Sequence, residues 1–149
     1  MPPARSTISP TRLASSLRLT VARLARRVRQ EGTSQGDDLT ASRLAALHTI
    51  DAMGPLTLGE LAAIEQVQPP SMTRIVARLE EHGLVARAVD ENDRRIVQVQ
   101  VTEGGKRLLT QSRTQRDAFL AKRVARLTDN EREILARAIP LLERLQEDD

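Results

Sequence analysis

A chain of 149 residues with 40% apolar and 29% charged residues is one domain's worth of sequence. Having no cysteine excludes disulfides, thiolate nucleophiles and cysteine-based redox switching, and one Phe with neither Trp nor Tyr leaves no stacking platform for single-stranded nucleic acid. The formal net charge of +3 is too small to argue for a polyanionic partner, so its distribution matters more. Residues 1–31 hold seven Arg against one Glu, and residues 102–126 hold seven Lys or Arg against two acids. Residues 54–101 hold five Arg against seven acids.

Residues 1–11 are rich in Pro and Ser and lack an apolar run. Nothing there reads as a signal peptide or membrane span, so a disordered tip on a cytoplasmic protein is expected. Leu13, Leu17, Val21, Leu24 and Val28 then step by four, four, three and four. That spacing is one uninterrupted helical stripe of the kind that buries against another helix. A second helix is expected over Leu39 to Met53, capped by Thr40 and stopped by Gly54-Pro55. It carries His48 and Asp51 on neighbouring faces. With two histidines in the whole chain and no H-E-x-x-H spacing, this pair reads as surface or interface polarity rather than a metal fragment or an acid–base couple.

The densest information lies between Thr57 and Val101. Thr57-Leu58-Gly59-Glu60 is a T-x-x-E capping box, with Leu56 and Leu61 at the staple positions and Leu58, Leu61 and Ala62 forming an apolar face. The run Gln66-Val67-Gln68 interrupts that pattern, and Pro69-Pro70 starts a new helix, since proline is tolerated where an amide has no partner. Met72, Ile75, Val76 and Leu79 recur at i, i+3, i+4 and i+7, which predicts one buried stripe ended by Gly83. Gln68, Ser71, Thr73, Arg74 and Arg78 fall near its start or on its opposite face, where hydroxyls and arginines suit a helix that reads a DNA groove. Taken alone they also fit an ordinary solvated amphipathic helix. Leu84 to Val89 and Ile96 to Val101 flank the polar tip Asp90-Glu91-Asn92-Asp93-Arg94-Arg95, the pattern of a β-hairpin. Asp93 is placed to hold a neighbouring arginine in a fixed direction. A short helix, a second helix and a hairpin in that order are the grammar of a winged helix-turn-helix.

The C-terminal flank starts at Thr102, whose hydroxyl can cap, and carries Leu108, Leu109, Phe119, Leu120, Val124 and Leu127. Thr128-Asp129-Asn130-Glu131 is a second capping box, opening a last helix with Ile134, Leu135, Ala138, Leu141, Leu142 and Leu145. Pro140 falls inside that pattern and is expected to remove a helical hydrogen bond and bend the axis.

Leu39-Thr40, Gly54-Pro55-Leu56-Thr57, Glu60-Leu61-Ala62, Leu79-Glu80, Gly83-Leu84-Val85, Arg87, Asp93-Arg94-Arg95 and Val101-Thr102-Glu103-Gly104-Gly105 together resemble the MarR family of bacterial transcription regulators in order and spacing. The resemblance covers about Leu39 to Gly105. It implies a homodimeric winged-helix repressor or activator on a pseudo-palindromic double-stranded DNA operator, often released by a small phenolic or lipophilic effector. It also selects Arg95 over Arg94 as the wing residue that reaches the minor groove, with Asp93 and Arg94 setting its direction. An effector pocket is implied where the first, second and fifth helices meet, with Arg18, Arg43 or His48 as polar contacts.

The expected fold class is therefore mainly α with a small β-hairpin wing, an α+β winged helix-turn-helix core flanked by dimerisation helices. Four segments follow: a tip over residues 1–11, a dimerisation helix and supporting helix over 12–53, the DNA-binding module over 54–101, and C-terminal dimerisation helices over 102–149. Leu13, Leu17, Val21, Leu24, Ile134, Leu141, Leu142 and Leu145 are the expected dimer contacts, because two strong apolar stripes separated by a compact module are hard to bury in a monomer. An intramolecular bundle is the alternative. No Gly-rich phosphate loop, G-x-S-x-G elbow or cluster of metal ligands is present, so no catalytic residue, metal or cofactor is expected. The competing functional reading is a winged helix that binds protein, which the acidic balance of residues 54–101 favours.

Overall fold

The computed structural model describes residues 8–31 and 40–146. Residues 1–7 of the expected N-terminal tip, and Leu39 at the expected start of the second helix, lie outside them. The first helix, α1, spans Pro10–Glu31 and is followed by α2 over Ala41–Met53. It begins inside the stretch expected as a tip, with Pro10 in the first-turn position where its missing amide costs nothing. Thr40 caps α2, accepting from the Arg43 amide at 3.4 Å.

Next come β1 (Leu56–Thr57), α3 (Leu58–Ile64), α4 (Pro69–Glu81), β2 (Val85–Val89), β3 (Val97–Val101), α5 (Glu103–Val124) and α6 (Asp129–Arg144). The expected hairpin is β2 and β3, with Val85 opposite Val101 and Val89 opposite Val97. A third strand was not anticipated: β1 pairs antiparallel with β3, Leu56 opposite Val99, giving the order β1-β3-β2. Two residues just before a helix cap carry no period-two signal, so only the pairing reveals them.

Both capping boxes form as read. The Glu60 amide donates to Thr57 Oγ1 at 3.2 Å while the Thr57 amide donates to the Glu60 carboxylate at 2.8 Å. The Thr128 and Glu131 pair repeats this at 3.3 and 2.8 Å. Glu60 and Glu131 are consequently held below the ordinary carboxylate pKa, mainly by those backbone donors. Thr57→Ala should lower unfolding stability by about 1 kcal/mol, seen as a lower urea midpoint with an unchanged slope at fixed protein concentration.

One core is shared by α2, α3, α4 and the sheet, with Leu47, Ile50, Leu61, Met72, Leu79, Val76 and Val99 fully buried and Leu109 of α5 closing it. The α3–α4 turn passes through Gln66 at φ 53°, and a Thr49 hydroxyl bond to Glu65 ties α2 to the end of α3. Phe119, the single aromatic, is buried under the Arg123 guanidinium, 3.3 Å from its ring centre. In contrast, α1 and α6 bury no residue. Helix α6 also runs unbroken through Pro140 to Arg144, so that proline does not end it. No helix among the described residues is long and apolar enough to cross a membrane.

Candidate functional site

Helix α4 stands with its apolar stripe sunk in the core: Met72 and Val76 are fully buried, and Leu79 is 1% exposed. The register of 3.6 residues per turn then forces Thr73, Arg74 and Arg78 outward, and all three are exposed. Gln68 is the N-cap residue, and its side chain makes no capping bond, leaving the amide group open at the head of the helix. Pro69 and Pro70 carry no N–H, and the Ser71 amide donates to Gln68 O at 2.9 Å. The first turn therefore offers few amides to a phosphate, and contact at this end must come from side chains. The Thr73 hydroxyl donates to Pro69 O at 3.0 Å, and Arg78 donates to Glu81 at 2.8 Å. Arg74 has no acidic partner among the described residues.

The wing tip is a rigid turn built on two aspartates. Asp90 Oδ1 accepts from the amides of Asn92 and Asp93 at 2.8 and 2.9 Å, and the strands close through Asp90 N to Ile96 O at 2.9 Å. Asp93 grips Arg95 through three donors, the backbone amide and Nε at 3.0 Å each and Nη2 at 2.9 Å. This two-toothed grip fixes the guanidinium plane while its side chain stays 90% exposed. The Arg95 side chain first, and its amide second, hold Asp93 below the usual carboxylate pKa, so the grip persists at neutral pH and is lost only as pH falls through that lowered value. Arg94 is exposed beside it, and the grip on Arg95 is supplied by Asp93. Arg87 of β2 also donates to Glu80 of α4 at 3.1 Å, linking the hairpin to the end of α4.

Away from this face, Arg29 of α1, Ala41, Leu44, Ala45 and His48 of α2, and Arg116 of α5 line a cavity of about 180 Å³. His48 is held below its ordinary pKa by burial first, then by Arg116 and Arg113, with Asp51 opposing. Arg116 Nε is buried with no hydrogen-bond partner among the described residues. Of the three polar residues expected at the junction of the first, second and fifth helices, only His48 lines the cavity. Arg18 lies instead in a groove between α1 and α6, with Leu17, Val21, Leu142 and Leu145. Arg43 is half-buried near the α2 cap and does not line the cavity. Arg29 and Arg116 escaped sequence reading because charged residues on long amphipathic helices look alike until the helices pack.

The arrangement has close counterparts. A model of the MarR family matches residues 39–97. An uncharacterized HTH-type transcriptional regulator of Mycobacterium bovis is 43% identical over 134 residues, covering 90% of this chain and 92% of that protein. The HTH-type transcriptional repressor MdtR of Bacillus subtilis is 26% identical over 125 residues, covering 83% and 81%. Among solved structures, a candidate transcriptional regulator of Pseudomonas aeruginosa superposes with a TM-score of 0.78 at 35% identity, covering 93% of this chain and 97% of its own. An exposed α4 face beside a clamped wing, matched over nearly the whole chain by regulators of the same build, places the protein in the MarR family as a DNA-binding transcription regulator of the helix-turn-helix type.

Proposed function

We propose that the protein is a cytoplasmic, homodimeric repressor that reads a pseudo-palindromic operator, each protomer presenting α4 to the major groove and the wing to the flanking minor groove. The observation that carries this reading is that α1 and α6 bury nothing of their own, yet present a shared apolar groove of about 560 Å³ lined by Leu17, Val21, Leu142 and Leu145. A second copy fills such a seam and fixes two α4 helices relative to each other, with half-sites about one helical turn, ~10 bp, apart. The repressor sense rests on the likeness to MdtR. The acidic balance of residues 54–101 is the one feature that suits the alternative of a protein-binding winged helix, and the likeness to HTH-type regulators weighs against it.

Gln68, Ser71, Thr73, Arg74 and Arg78 are the proposed reading residues of α4, and Asp93, Arg94 and Arg95 those of the wing. Narrow A·T tracts concentrate negative potential and attract an inserted arginine, and Arg95 is the one aimed by Asp93. Footprinting on a duplex enriched from a random pool tests this. Arg95→Ala should lose protection flanking each half-site while keeping the central contacts, and Asp93→Ala should weaken the same flanks less. Intact flanks in Arg95→Ala would reject the wing assignment.

A small amphipathic acid, phenolic or aliphatic, is the effector class proposed for the α1–α2–α5 cavity. Leu44, Ala41 and Ala45 supply the apolar wall, and the unpartnered Arg116 Nε supplies a donor for a carboxylate or phenolate.

A further inference from the structure

The end of α4 and the start of α5 are tied in one knot. Gly83 closes α4 at φ 68°, a left-handed conformation that costs glycine nothing, with its amide donating to Glu80 O and the Leu84 amide to Leu79 O, both at 2.9 Å. Thr102 then spans that turn. Its hydroxyl donates to Gly83 O at 2.6 Å, its amide donates to Leu84 O at 3.0 Å, and its Oγ1 accepts from the Gly105 amide at 3.1 Å as the cap of α5.

Packing at the knot leaves no slack. A Cβ on Gly105 would sit 2.2 Å from Leu84 O and 2.7 Å from Val101 Cγ2, and one on Gly104 would sit 3.1 Å from Gly83 O. The nearest neighbours are backbone oxygens, which cannot rotate aside as a side chain does. The Arg87 bond to Glu80 ties β2 to the same helix end. The last turn of α4, the root of the wing and the first turn of α5 consequently move as one body.

From this geometry we infer that Thr102 is a positioning residue that sets which half-site spacing the dimer accepts. The inference rests on the dimeric-operator reading above. Helix α5 runs from the knot to pack against α1, the helix that carries the proposed dimer seam, so the separation of the two α4 helices is relayed through its origin. A loose joint there would let each reading unit tilt independently and tolerate altered spacing. A rigid joint penalises it, because one added base pair moves a half-site by about 3.4 Å and rotates it by roughly 35°.

The test uses full-length protein and a duplex enriched from a random pool by the wild type, rebuilt with one base pair added or removed between half-sites. Thr102→Ser keeps both the donor to Gly83 O and the cap acceptor. Thr102→Asp keeps the cap acceptor but has no proton to donate. Wild type and Thr102→Ser should lose on the order of 30-fold in affinity on respaced duplexes, comparable to a base mismatch, whereas Thr102→Asp should lose under about fivefold. Gly104→Ala, which adds a methyl group against Gly83 O without removing the cap, should broaden or shift the preferred spacing and serves if Thr102→Asp does not fold. Wild-type spacing discrimination retained in the folded variants overturns the inference. A wild type indifferent to spacing overturns the inference too, and sedimentation of its complex separates the two failures: two protomers per duplex leave the dimeric-operator reading standing, whereas one protomer per duplex overturns that reading as well.

Discussion

Replacing Leu17 and Val21 together with Glu should give a chain that neither dimerises nor holds operator DNA. Both side chains line the groove between α1 and α6, opposite Leu142 and Leu145. Leu13, Leu24, Ile134, Leu141 and Leu145 are 53%, 49%, 52%, 56% and 70% exposed in the single chain. Contiguous apolar surface of this extent is unusual on a soluble monomer. Fully burying six such side chains in a partner is worth on the order of 10 kcal/mol before the costs of association, enough for dimers at micromolar concentration. Two carboxylates in that seam would have to be desolvated without partners, which reverses the balance. The shared core of α2, α3, α4 and the sheet lies apart from the seam, so the winged helix should keep its helical signal. Sedimentation at micromolar concentration is the measurement. A folded wild-type monomer there would remove both the interface and the palindromic operator built on it.

Arg74→Ala should weaken specific duplex binding by about 1–3 kcal/mol, roughly fivefold to more than a hundredfold. Arg74 is exposed on the outer face of α4 and, among the described residues, has no acid to release before it meets DNA. Arg78→Ala should cost less, because Arg78 already donates to Glu81 at 2.8 Å and binding must compete with that bond. The manner of the loss separates two roles. A base contact relaxes sequence preference at one position of each half-site, whereas a phosphate contact lowers affinity uniformly and makes the salt dependence shallower by about one ion per site. Titrations at several salt concentrations with matched and mismatched duplexes read both. Unchanged affinity and salt slope in both variants would defeat the assignment of α4 as the reading helix.

Local chemistry explains which elements were legible from residues alone. Thr57 and Thr128 announce their helices because a hydroxyl and a carboxylate three residues apart satisfy each other's amides whatever surrounds them. The stripe of Met72, Val76 and Leu79 and the stop at Gly83 are likewise properties of one helix. Asp93 and Arg95 stand two residues apart on a tight tip, so their partnership needs no distant element, although the choice of Arg95 over Arg94 came from the family pattern.

Everything that depends on two segments meeting was decided by the tertiary structure. Strand β1 exists only because Leu56 finds Val99. The turn at Gln66 lacks the glycine that usually marks a left-handed residue, so only packing of α3 against α4 imposes it. Arg18 and His48 were expected at one pocket, yet Arg18 lies in the groove between α1 and α6, while the packing of α1 and α2 against α5 brings Arg29 and Arg116 to His48. The knot at Thr102 is of the same kind. Its threonine reads as a helix cap in the sequence, and its second bond, to a carbonyl 19 residues earlier, appears only when α5 returns to the end of α4. Hydrogen bonds within one turn are written by spacing along the chain, whereas a contact across the fold depends on how whole helices settle against a shared core.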